Sequence, residues 1–371
     1  MCTSLLYFDA NERAYLGRTL ELSLDLPYQV AFFPKELPVS SEVKGHPKLS
    51  WTMRHTVIAV TMPISPSTLG KAFGSADLKI VEGLNDAGLT FSVQSYSQTS
   101  GPQEPFDSTR PALSAADLGT FILGQFSSVA EVKAALTDMP IVLESIAILG
   151  GLKMPFHYSV HDATGASLVI EFHHGVRTIY ENPVGVLTNA PQFSWHLTNL
   201  NNYTFLTNID RSKARFLDYE VEQPGSGIAK AGLPGTDTSV DRFIRAVFYA
   251  QFAEKQSDPD RAVQMVAHIM NNFDRPRGIT IDPPNLGSNH LQFAGHTRET
   301  TPTEFTTWTS LSDLTRRRLF LRDSGGMNYT YIDLTTLTGD TEFFATPMAK
   351  LTPPITNSTA AFTSAKSVRG S

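Results

Sequence analysis

The chain has 371 residues and one cysteine, Cys2, directly behind Met1. A lone cysteine is ordinarily a small buried apolar filler. At position 2 it has another use. Removal of Met1 would leave a residue carrying a thiol and a free amine together. A thiol is a strong nucleophile only as the thiolate, and its ordinary pKa is about 8.5. An N-terminal amine, at about 7.7–8.0, suits the part of its base near neutral pH. Such a pair needs a positive charge for the thiolate, an acceptor to orient the amine, and a donor for the oxyanion of acyl transfer. The segment GRTLEL supplies Arg18 and Glu21. A hairpin of residues 2–9 and 14–21, turning at DANE, sets its strands about 4.7–4.9 Å apart, near enough to bring Arg18 to Cys2. Taken alone, an arginine and a glutamate on one strand are most often a surface pair of little worth. Asp25 is a rival acceptor four residues on, and spacing favours Glu21.

The elements that must hold these groups begin with that hairpin. HTVIAVTM (55–62) and LTFSVQSY (89–96) read as further strands, and 97–112 as loop. ALSAADLGTFILGQF has helical periodicity with Ser114 as N-cap, and SSVAEVKAAL starts a second serine-capped helix. FHYSVHDATGASLVIEFH reads as a hairpin and VGVLTN as a short strand. After a loop-rich stretch at about 190–237 come two amphipathic helices, TSVDRFIRAVFYAQFAEK and DPDRAVQMVAHIMNNF, the second capped by Asp258. EFTTWTSLSD, RRLFLRD and YTYIDLTTL are strands again. Strands and helices without βαβ alternation predict an α+β fold of antiparallel sheets with helices packed outside. With no composition break, residues 2–350 form one domain, and the Pro/Ser/Thr-rich residues 351–371 a poorly ordered tail.

Composition bounds the function. A content of 41% hydrophobic and 18% charged residues fits a soluble globular protein, and the net charge of −6 argues against nucleic acid. The cluster Arg316-Arg317-Arg318 reads as the solvated edge of a strand. No apolar run is long enough to span a membrane. The N-terminus lacks a secretory signal pattern, so the sequence as given reads as cytoplasmic, or as periplasmic or secreted where a signal has been removed. One cysteine permits no internal disulfide. Neither a metal nor a cofactor is expected. His173 and His174, adjacent on a strand, point to opposite faces, and His157 and His161 lie outside any ligand-spaced motif.

The segments MCT…GRTLEL, GLNDAGLTF, VLTNAPQFSWHLTNLNNY, GLPGTDTSVDRFIRA and TEFTTWTSLSDL follow one another as they do in the choloylglycine hydrolase family. That family groups bile salt hydrolases with penicillin V acylases among the N-terminal nucleophile hydrolases. The resemblance spans about residues 2–335. It implies a four-layer αββα sandwich, two stacked antiparallel sheets with helices outside, and hydrolysis of linear amide C–N bonds through a thioester. It assigns Cys2 as nucleophile, Arg18 as support for the thiolate, Asn189 as oxyanion donor and Arg242 as brace for the amine and nearby carboxylate. Glu21 stands where the family usually has aspartate. Ser95 stands where it has asparagine or tyrosine, a position whose backbone N–H serves the oxyanion. Tyr96 would reach that place only through a one-residue slip, which reverses its face. The resemblance also implies a homotetramer built through the loop after NLNNY.

The substrate is then a small N-acyl amide. Phe32, Phe33, Met53, Tyr96 and Phe156, all large and apolar, are the expected pocket lining. A conjugated bile salt ranks narrowly ahead of penicillin V and N-acyl homoserine lactones. The reading from another class is a non-catalytic binding relative that retains Met1, because a blocked amine cannot act as base.

Overall fold

CTSLLYF and AYLGRTLEL pair as β1 (Cys2–Phe8) and β2 (Ala14–Leu22), antiparallel, with Cys2 opposite Leu20 and Ser4 opposite Arg18. Opposed residues of a ladder share a face, as do residues two apart. Cys2, Ser4, Arg18 and Leu20 therefore all point the same way. The structure is a computed structural model that describes residues 1–63, 73–103, 107–146, 151–282, 301–302 and 304–360.

The other strands of the two large sheets are, in chain order, β3 (Gln29–Phe33), β4 (Val57–Pro63), β5 (Leu78–Asn85), β6 (Thr90–Ser95), β7 (Phe156–His161), β8 (Ser167–His173) and β9 (Val176–Glu181). They continue with β10 (Val186–Leu187), β11 (Phe305–Asp313), β12 (Arg318–Asp323), β13 (Thr330–Asp333) and β14 (Phe344–Pro347). One sheet has six strands in the order β10-β1-β2-β11-β12-β13; the other has eight, β9-β8-β7-β6-β5-β4-β3-β14. Each pairing in both sheets is antiparallel.

Helices α1 (Leu118–Gln125) and α2 (Val129–Thr137) pack on the eight-stranded sheet. Helices α4 (Ser239–Phe252) and α5 (Pro259–Met270) pack on the six-stranded one, and a shorter α3 (Phe193–Asn199) precedes them. Gly17 of β2 is needed for this approach, since a Cβ there would lie 2.7 Å from Met270 of α5. Among the described residues three large apolar cores, beside a small fourth around Leu6 and Leu16, fill the spaces of the resulting sandwich. One lies under α1 and α2, one between the sheets around Cys2, Leu20 and Trp308, and one under α4 and α5. Burial on both faces also encloses the polar residues of these two strands, Thr3, Ser4, Arg18, Thr19 and Glu21.

Several details differ from the sequence expectations. Ser114 caps a 3-10 turn (Ala115–Asp117) rather than α1 itself, which begins at Leu118. The 190–237 stretch expected to be loop holds α3 and a hairpin, Lys213–Phe216 with Tyr219–Glu222, that exposes Phe216, Leu217 and Tyr219. His173 and His174 do not point to opposite faces. His174 has left the strand at φ 48, and the two rings stand 4.2 Å apart. The expected tail is exposed over residues 354–360, and residues 361–371 lie outside the described residues. Among the described residues, no helix is long and apolar enough to cross a membrane, and no cluster of three or more His, Cys, Asp or Glu side chains could hold a metal.

Candidate active site

Cys2 is 4% exposed at the start of β1, and its sulfur lies 3.6 Å from Arg18 Nη2. Arg18 cannot turn elsewhere. Its guanidinium lies 4.5 Å from the centre of the Trp308 ring, Nη2 donates to the Val93 carbonyl, and Nε is 3.6 Å from a Glu82 oxygen. Charge and stacking together fix it with one edge toward the sulfur.

Glu82 was not anticipated from the sequence. It is fully buried, and neither of its oxygens has a hydrogen-bond partner among the described residues. Burial pushes its carboxyl up to about 7, with Arg18 opposing the rise. The unfolded chain would release this proton near 4.5, while the folded one holds it until about 7. Stability is therefore expected to fall as pH rises across that window, by about 3 kcal/mol. Glu21, also raised by burial, acts in the same sense. Glu82→Gln should flatten much of this slope, measured by urea unfolding at the two ends of the window; an unchanged slope would count against it.

Asn189 leaves the short strand β10 and is fixed through both backbone and side chain. Its N–H donates to Ser239 Oγ at 2.9 Å, at the start of α4, and its carbonyl faces His196 Nε2 at 2.9 Å. Burial lowers His196 to about 4, so the ring is neutral near pH 7 with its single proton on the nitrogen facing that carbonyl. The side-chain Oδ1 accepts from Cys2 N at 3.0 Å and from Arg242 Nη2 at 2.6 Å. These two donors settle the amide orientation, so Nδ2 points at the Ser95 carbonyl, 2.7 Å away. One of its two N–H bonds remains for a ligand.

Arg242, fully buried near the start of α4, ties the site together. Nη1 donates to the Cys2 carbonyl and to Thr3 Oγ1 at 2.6 Å, and Nε to the Asp237 carbonyl at 2.9 Å. Burial lowers its guanidinium, with Glu21 and Cys2 opposing. Glu21 is buried where the β2–β11 register shifts between Leu20 and Glu21, a bulge that re-aims its side chain. Oε1 accepts from Thr306 Oγ1 at 3.2 Å, while Oε2 has no hydrogen-bond partner among the described residues. The rival acceptor Asp25 sits well exposed, 3.7 Å from Arg277. Met1 is in place: its ammonium donates to the Glu21 carbonyl at 2.7 Å and pairs with Glu304, another contact the sequence did not announce.

The structure thus brings Cys2, Arg18, Glu21, Asn189 and Arg242 into one cluster. Ser95 faces it as well, and its carbonyl is the group engaged by Asn189. Because Tyr96 N–H donates to Pro155 on the β7 side, ladder alternation turns the Ser95 N–H and carbonyl toward β5. Beside the sulfur opens a cavity of about 110 Å³, lined by Leu22, Tyr28, Met62, Met154 and Phe156 among others. Of the five expected pocket residues only Phe156 lines it. Phe32 and Phe33 are consecutive on β3 and so face opposite cores, where they pack on Phe344 and Phe343. Met53 fills the space above Gly124. Tyr96 stacks on His157 at 4.8 Å, and its hydroxyl bonds His173 Nδ1 at 2.6 Å.

Two stacked antiparallel sheets between helical layers, with residue 2 opening an inner strand of one of them, are the architecture of the N-terminal nucleophile hydrolases. Residues 2–342 match the linear amide C–N hydrolases, choloylglycine hydrolase family, and the chain belongs to that family. It is 28% identical over 282 residues to the bile salt hydrolase/transferase of Lactiplantibacillus plantarum, covering 75% of this chain and 80% of that protein. It is 28% identical over 305 residues to the penicillin V acylase of Pectobacterium atrosepticum, covering 77% and 73%. A conjugated bile acid hydrolase variant from Clostridium perfringens has the same fold, with a TM-score of 0.76 at 23% identity over 96% of this chain and 99% of that one. The chain is therefore a hydrolase of linear amides.

Proposed function

We propose that Cys2, freed by loss of Met1, is the nucleophile that cleaves an N-acyl amide with an apolar acyl group and a small polar amine. The observation that carries this reading is the convergence of Arg18, Asn189 and Arg242 on Cys2, each fixed by further buried contacts. With Met1 gone, the Cys2 nitrogen is an amine already facing Asn189 Oδ1, with Glu21 and Arg242 close by to orient it.

In the first half-reaction the amine takes the thiol proton and the thiolate, beside Arg18, attacks the amide carbonyl. The oxyanion receives the free N–H of Asn189 Nδ2 and the Ser95 backbone N–H, donors worth roughly 3–4 kcal/mol each in such sites. The C–N bond breaks as the amine passes its proton to the leaving nitrogen, which leaves a thioester on Cys2. In the second half the amine takes a proton from water. The hydroxide equivalent attacks the thioester, the C–S bond breaks, and the carboxylic acid departs with the thiol restored.

Conjugated bile salts and penicillin V are the substrates that the relatives' names supply. Both present an apolar acyl group on an amide, and the cavity beside Cys2 is lined mostly by apolar side chains.

The test has two parts. Intact mass should show a chain lighter by one methionine, and the processed protein should hydrolyse members of a panel holding glycine and taurine bile salt conjugates, penicillin V and N-acyl homoserine lactones. Uniform retention of Met1 together with no turnover of any member would instead favour a non-catalytic binding relative.

A further inference from the structure

The cavity beside Cys2 does not end between the sheets. Part of its wall, including Leu22 and Tyr28, belongs to the inter-sheet core. Ile80, Phe91, Ala115 and Tyr158, which also line it, belong to the core beneath α1 on the other face of the eight-stranded sheet. A void that touches both cores must pass through the sheet.

The ladder registers show where it passes. β5 and β6 are paired from Glu82–Leu84 against Thr90–Ser92. Beyond that point each strand is held on its outer side. Leu78, Lys79 and Ile80 remain opposite Pro63, Met62 and Thr61 of β4, while Val93–Ser95 remain opposite Phe156–Tyr158 of β7. The β4–β5 register slips so that Val81 has no opposite residue, a bulge that bends β5 at the parting. The result is a slit with Ile80 and Val81 on one wall and Val93 and Ser95 on the other.

The backbone carbonyls on that side of β6 do not go unpaired. Val93 accepts from Arg18 and Ser95 from Asn189. Separation of the strands thus frees the acceptors that position two site residues, and it opens a passage leading away from the sulfur.

We propose that this slit is the acyl subsite and that it takes an unbranched aliphatic chain, threaded from the carbonyl at Cys2 between β5 and β6 to Ala115 under α1. The proposal rests on the reading of Cys2 as the acyl-accepting nucleophile. Both walls are strands anchored by ladders on their outer sides, so widening the gap means breaking backbone hydrogen bonds. A flexible polymethylene chain enters such a gap in cross-section, whereas a rigid fused ring system presents its full width. The lining is mostly apolar; Glu21 lies at the Cys2 end, and Lys79 has its ammonium on Asp117 at 2.6 Å, leaving only its stem for the slit. Each methylene buried in such a channel should raise kcat/KM about fourfold until the space is filled.

The test uses the processed full-length protein and N-acylglycines from butanoyl to dodecanoyl, with glycocholate and penicillin V alongside. A rise in kcat/KM with chain length to a plateau is expected. Ala115→Leu should move the plateau to shorter chains and cut the dodecanoyl-to-butanoyl ratio at least tenfold. Ile80→Ala, which removes bulk and so keeps the test open if the larger side chain prevents folding, should move the plateau the other way. Length-independent kcat/KM, or a ratio that neither folded variant changes, would overturn the slit while leaving the amidase reading intact. Failure to cleave any compound would overturn the role of Cys2 instead. The slit would then stand or fall on whether dodecanoate binds more tightly than butanoate and loses that advantage in Ala115→Leu.

Discussion

Cys2→Ser is expected to fold like the natural chain and to lose amide hydrolysis by a factor on the order of 10⁴ or more. The two halves of this expectation rest on different atoms. Folding around residue 2 is held by its backbone, whose N–H donates to Asn189 and whose carbonyl accepts from Arg242, and these bonds are indifferent to the side chain. The sulfur has Arg18 Nη2 at 3.6 Å, and serine's hydroxyl fits the same place. What serine cannot do is ionise near neutral pH, so Arg18 has no thiolate to stabilise. Serine at position 2 keeps the capacity to present an amine once Met1 is removed, which separates the sulfur's contribution from the amine's. Melting temperature, intact mass and turnover of the amide panel are the measurements. A processed, folded serine variant with undiminished turnover would remove Cys2 from the mechanism.

How far the sequence carries this site depends on the range of the interactions involved. The pairing of Cys2 with the Arg18 strand is local: a hairpin of known parity places both side chains on one face, and β1 and β2 do so. Choosing Glu21 over Asp25 by spacing also gave the residue that is buried in the cluster, although the bulge that aims it arises from pairing with β11, nearly 300 residues away. Pocket residues are set by packing between distant segments, and size with apolarity could not place them. Phe33 meets Phe343, and Met53 meets Gly124. Tyr96 follows a polar partner, His173, away from the cavity. Glu82 did leave a trace, as the one carboxylate in LKIVEGLN, the sequence of β5. Glu304 left none, since only the folded chain brings it to the ammonium of Met1.

Asn189→Ala should lower kcat by about 10²–10³, the loss typical of one oxyanion donor, with little change in KM. The reason lies in how completely the residue is committed. Its Oδ1 serves Cys2 and Arg242, one N–H of Nδ2 serves Ser95, and the second N–H is what a developing negative charge can recruit. Truncation removes that donor and also leaves Arg242 Nη2 and the Cys2 nitrogen without their acceptor. Each buried donor so stranded costs about 1–3 kcal/mol, and urea unfolding should register it. The two effects separate cleanly in measurement. Loss of stability lowers the fraction of folded molecules, which stabilising conditions restore. Loss of the oxyanion donor lowers kcat per folded molecule and stays when stability is restored. A variant whose kcat recovers fully once it is folded would assign Asn189 to the scaffold alone, and the donor would then have to be sought at the backbone of Ser95.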